Sequence, residues 1–235
     1  MATEVPPNWP PSEPPSTPPP PPPPAAQPLP WEDPAYPPLE ALYETTKLVL
    51  FYPRQAFSRM STTGSMSRPI LFAIILGWVG VAVAQLYQWV FRSTITRLLP
   101  GIFGREDTFF AKVGGIATVI TAPVWILLGL ALATLVVHFF LLLLGGAQKG
   151  LSTTFRTLAY TEATYLFQVL PLVGGVIAVL WWIPIAIVGL AEAHQTTTGR
   201  AAGAVLAPLL LCCVCVMVVL LVAGAAIMGA LQNLR

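Results

Sequence analysis

Among the stretches of this chain that run without a single charge for longer than a water-facing surface tolerates are residues 69–91, 23 in all, and residues 113–144, 32 in all. At 1.5 Å per helical residue they measure about 35 and 48 Å, against a bilayer core of about 30 Å. Inside lipid every backbone amide and carbonyl must be satisfied within the protein, so unbroken apolar runs of this length read as membrane helices. Composition agrees. With 55% hydrophobic residues, 9% charged and mean hydropathy +0.72, a soluble domain would have too little polar surface to cover its core.

The remaining spans follow from breaks in the apolar pattern. The first is placed at about 69–91. The 113–144 stretch is too long for one straight crossing, so Pro123 is expected to separate an interfacial approach from a second span at about 121–144. Residues 158–190 are divided by PLVGG at 171–175, which makes a hairpin of two short spans, 157–171 and 174–191. The last runs from about 207 to 231, beginning near Pro208. The expected fold is all-α, a polytopic membrane helix bundle of about five transmembrane helices.

Ahead of the bundle the first 38 residues hold 18 of the 25 prolines, including an unbroken run from 18 to 24. Proline lacks an amide donor and fixes φ, so 1–38 reads as a disordered Pro-rich tail of polyproline II character, a spacer or a dock for protein partners. Residues 39–60 then take helical spacing. Leu39, Leu42, Tyr43, Thr46, Val49, Leu50, Phe57 and Met60 fall near one face, with a bend expected at Pro53. Too charged to cross, this amphipathic helix either lies in the lipid interface, with Lys47, Arg54, Phe57 and Arg59 as its lipid-contacting residues, or packs on the bundle as a cap. The domain division is therefore 1–38 for the tail and 39–235 for the membrane domain.

The lysine and arginine bias sets orientation. With the amino terminus inside, Lys47, Arg54, Arg59, Arg68, Lys149, Arg156 and Arg200 make seven inner cations, against Arg92, Arg97, Arg105, Lys112 and Arg235 outside. Nucleic acid is excluded as a partner, because the net charge of +2 includes no clustered basic face. MATEVPPNWP lacks the basic and apolar regions of a cleavable signal. Cys212, Cys213 and Cys215 sit inside the last span and suit packing better than zinc. Neither metal nor cofactor is expected, and no nucleophile, base and orienting group can be assembled, so the chain reads as a non-enzyme.

The candidate functional residues are a polar cluster, Glu162 and His138 within the spans and Glu192, His194 and Arg200 in the loop after the fourth. Glu162 is expected in the first turns of the third span. There it either pairs with Arg200 or His194 as an interfacial anchor, or serves as a proton or cation site. His138 reads as an interhelical hydrogen-bonding group. Small residues four apart, Ala73 with Gly77, Gly80 with Ala84, Gly199 with Gly203 and Ala225 with Gly229, suit close packing within the bundle or in a homo-oligomer.

The ordered set ETTKLVLFYPRQAFSRM, RPILFAIILGWVG, VVHFFLLLLGGAQKGLSTTFRTLAYTEA and VLPLVGGVIAVLWWIPIAIVGLAEAHQTTTGRAAGAVLAP resembles the YIP family, named for interaction with Ypt/Rab GTPases, over about residues 39–231. The likeness is to its prokaryotic branch, since the Asp-Leu-Tyr-Gly-Pro of eukaryotic members is absent. It implies about five membrane helices, a cytoplasmic amino terminus and no known catalysis. The expected function is therefore a non-catalytic scaffold that organises membrane or recruits partners. The alternative is a small-solute or ion transporter working through the intramembrane polar residues. The expected site is a prokaryotic inner membrane, or Golgi or endoplasmic reticulum membrane in a eukaryote.

Overall fold

The computed structural model describes residues 27–98 and 108–232, and among these every regular element is helical. A 3-10 turn over Pro30–Glu32 leads into α1 (Pro38–Phe51) and α2 (Pro53–Arg59). The long helices are α3 (Ser67–Leu98), α4 (Thr108–Leu143), α6 (Gly174–His194) and α7 (Thr198–Gln232). Between α4 and α6 lie α5 (Leu151–Thr161) and a 3-10 helix over Glu162–Val169. Four stretches are long and apolar enough to cross a membrane: Ser67–Phe91, Val113–Leu143, Gly174–His194 and Thr198–Gly224.

The segment expected as the third span is made differently from the other four. Its 11 residues of α-helix and eight of 3-10 helix measure about 17 and 16 Å, together a bilayer's thickness. It lies antiparallel to α6 along that helix's length, with Thr154 against His194 at one end and the Phe167 ring 6.0 Å from that of Trp181 toward the other. The turn between them is the PLVGG break. Leu172 takes φ +68°, and a Cβ on Gly174 would stand 2.2 Å from the Phe167 carbonyl oxygen, so only glycine fits there.

Prolines act according to what replaces the hydrogen bond they remove. Pro53 divides the helix expected over 39–60 in two, with Tyr52 non-helical at φ −131° and ψ 55°; the Trp181 indole then donates to the freed Leu50 carbonyl at 3.0 Å. Pro123 interrupts nothing. It lies inside the continuous α4, because the Val119 carbonyl, the acceptor it leaves empty four residues back, takes the Trp78 indole N–H at 2.8 Å. The expected interfacial approach before 121 is thus part of one helix.

Two buried clusters hold the bundle together. One joins the chain's early segments to the bundle through Trp31, Val49, Leu50, Phe57, Phe72, Tyr160 and Ile185. The other runs through α4, α5, α6 and α7, with Val137, Leu141, Leu158, Leu190 and Val205. Gly77 meets Ile126, Gly80 meets Tyr165 and Gly203 meets Leu144, so these small residues serve contacts within the bundle. α7 is the outermost helix: 6% of its span is buried, against 22–33% for the other three.

The tail boundary at 38 needs correction. Leu29 and Trp31 are 1% and 3% exposed, wedged under α1 and α3. Proline bias continues past the point where these two apolar anchors dock, so composition places the boundary too late. The rest of the Pro-rich segment, 1–26, lies outside the described residues.

Candidate functional site

The polar residues singled out in the sequence separate into distinct places. His138 and His194, 56 positions apart, come together through Thr154. The Lys149 amide donates to His194 Nδ1 at 3.2 Å, which makes that nitrogen an acceptor and puts the proton on Nε2. Nε2–H then donates to Thr154 Oγ1 at 2.9 Å, and the threonine hydroxyl donates onward to His138 Nδ1 at 2.8 Å. One direction of donation satisfies the whole chain with both rings neutral. Arg200 is exposed and donates to the Gly145 carbonyl at 3.2 Å, while Glu192 is exposed on the outer face of α6.

Glu162 joins none of these groups. It is the first residue of the 3-10 helix, halfway along the arm, and by the antiparallel register it stands level with Ala186 rather than with His194 or Arg200. Among the described residues its carboxyl group has neither ion pair nor hydrogen bond, while its backbone amide donates to the Ala159 and Tyr160 carbonyls. The arm starts at Leu151, six residues before the expected 157, so Glu162 is not in its first turns. Its side chain lines a cavity of about 390 Å³ between α4 and α6, walled by Trp125, Tyr165, Gln168 and Trp182.

The lipid-interface residues also divide. Phe57 is 2% exposed, its ring filling the space beside Gly189 on α6, so it is a core residue. Lys47 is exposed, 3.6 Å from Glu44 and 5.9 Å from the centre of the Tyr43 ring; Arg54 is exposed and Arg59 half-buried. The apolar side chains facing outward are instead Leu39, Tyr43, Phe51 and Tyr52.

An ion-paired lock missed by the sequence reading fastens the early segment to the arm. Arg156, 2% exposed, donates to the carbonyls of Gly64 and Ser65 and stands 3.9 Å from Glu32. Glu32 accepts from the Tyr160 hydroxyl at 2.9 Å and the Ser61 amide at 2.7 Å. Burial holds the Glu32 carboxyl above its ordinary range, against the opposing pull of Ser61, Tyr160 and Arg156. Trp31 completes the lock, its amide donating to Thr45 Oγ1 at 2.9 Å and its indole to the Arg68 carbonyl at 2.7 Å. The available signal was Trp31-Glu32, a large aromatic and a carboxylate where the proline tail ends.

A family model described as Yip1 domain matches residues 47–228, with α2 to α6 wholly inside the match. The chain belongs to the Yip1 domain family. No curated protein and no solved structure matches it. The Yip1 match includes Arg156, Tyr160, Glu162 and both histidines, but it begins inside α1, so Trp31 and Glu32 lie ahead of it. This chain thus fastens a segment from outside the matched Yip1 region onto an arginine within it.

Proposed function

We propose that this Yip1-family protein is a non-catalytic membrane organiser whose working surface is the two-faced cap formed by α1 and α2. One observation carries the reading: Leu39, Tyr43, Phe51 and Tyr52 are 83%, 64%, 61% and 57% exposed, while Val49, Leu50 and Phe57 on the opposite face are buried in the bundle. Lys47 lies in that outward row, four residues from both Tyr43 and Phe51, and Arg54 is exposed just beyond it. An apolar face with basic flanks enters the boundary between headgroups and acyl chains, and a helix fixed to a bundle imposes that insertion on one leaflet only. The cation bias favours a cytoplasmic cap, with the proline-rich tail recruiting partners on that side of a prokaryotic inner membrane. Reconstituted in anionic liposomes, the full chain is expected to narrow the vesicles or draw them into tubules, and Leu39→Glu with Phe51→Glu to abolish this while the melting temperature stays within a few degrees. Equal remodelling by the double variant would overturn the reading.

The unpaired Glu162 at its cavity favours transport as a second reading. Flux of protons or small cations through the same liposomes, lost in Glu162→Gln, would establish it in place of the first.

A further inference from the structure

We propose that the cavity at Glu162 binds a positively charged amine carried on an apolar body, entering sideways from the acyl region of the bilayer. Four observations converge. The cavity, at about 390 Å³, lies within the range of small-molecule sites. Its lining joins one carboxyl group, without a partner among the described residues, to three aromatic rings, Trp125, Tyr165 and Trp182, with the Gln168 amide beside them. A carboxylate in such surroundings is costly alone and is stabilised by an arriving cation, which the ring faces also attract. Among the described residues no lysine or arginine fills that role, and the arm's own cation, Arg156, is held at Glu32, Gly64 and Ser65.

The geometry also supplies room and an entrance. α4 and α6 are held apart, each packed on α5 and α7, and the cavity occupies the gap. Trp125 and Val179 at its rim are 67% and 62% exposed, on the surface that faces lipid. A Cβ added at Gly129 would meet nothing within 4 Å, so the backbone of α4 borders open space there. The eight-residue 3-10 helix that presents Glu162, Tyr165 and Gln168 is longer than such helices usually run, as expected of a segment shaped for a site rather than for stability alone. The proposal does not depend on the membrane-organising reading.

The test uses the full chain in nanodiscs of digalactosyl diacylglycerol, a neutral lipid without an amine, titrated with decyltrimethylammonium and followed by tryptophan fluorescence. A saturable change is expected, with decanol giving none. Glu162→Gln should raise the half-saturating concentration at least about tenfold, the scale of one lost charge-assisted contact. Gly129→Phe should remove the response by filling the cavity, with its melting temperature retained. This second variant decides the matter should Glu162→Gln fail to fold. Repeating the titration in phosphatidylcholine discs separates the sources: a higher half-saturating concentration assigns the site to a lipid headgroup, an unchanged one to a free amphiphilic amine. The proposal is overturned if no saturable change occurs, if decanol reproduces it, or if both variants titrate like the parent protein.

Discussion

The two halves of the arm from Leu151 to Val169 are consecutive in the chain and opposite in character. The α-helical half buries Thr153, Thr154, Arg156, Thr157, Tyr160 and Thr161, and gives each of these hydroxyls a partner, leaving only Arg156 Nε without one: Thr153 bonds the Lys149 carbonyl, Thr157 that of Thr153, Thr161 that of Leu158, Thr154 the histidines and Tyr160 Glu32. In the 3-10 half Thr164 is buried and bonded to the Thr161 carbonyl in the same way, but Glu162, its first residue, has no such side-chain partner and borders a cavity. The bonded hydroxyls therefore contribute to the fold, while the Glu162 carboxyl is a cost that the fold carries.

Substitutions can break that contrast. The largest loss is expected for Arg156→Met, which leaves Glu32 buried without its cation and two carbonyls without donors; a cost of about 3–5 kcal/mol would lower the melting temperature of the solubilised protein sharply or prevent folding. Next comes Trp78→Phe, which empties the Val119 acceptor beside Pro123; hydrogen bonds of this kind between membrane helices are worth about 1 kcal/mol, so a modest fall in melting temperature is expected. At the other end, Glu162→Gln should leave melting unchanged or raise it. A loss from Glu162→Gln comparable with that from Arg156→Met would erase the distinction between the halves and reveal a structural partner for Glu162.

Local chemistry was readable from the sequence wherever one segment decides the outcome. PLVGG stated its own break, since proline and a glycine at a crowded turn constrain the backbone whatever surrounds them. Pro53 behaved likewise. Pro123 was misleading because the group that restores its missing hydrogen bond, Trp78, lies 45 positions earlier, and no periodicity reports such a pairing. The sequence sets Glu162 too near the arm's start because Ser152, Thr153 and Thr154 look like loop chemistry, whereas Thr153 bonds back to the Lys149 carbonyl and Thr154 to the two histidines from within a helix. The stripe over 39–60 puts Leu39 and Tyr43 on one face with Val49 and Phe57, whereas the first two face outward and the last two the bundle, Phe57 filling the space at Gly189. His138 and His194 were each named, yet the hydroxyl that joins them was one threonine among many.

The lock at Trp31 and Glu32 also defines a load path. Whatever pulls on the chain ahead of Leu29 meets first Trp31, its backbone amide held by the Thr45 hydroxyl and its indole by the Arg68 carbonyl, then a carboxylate gripped by Ser61, Tyr160 and Arg156. Tension would thus arrive at the arm itself, six residues from Glu162 at Arg156 and two at Tyr160, without passing along α1 and α2. A partner that engages the proline-rich segment would be pulling on a tether made fast to the middle of the membrane domain.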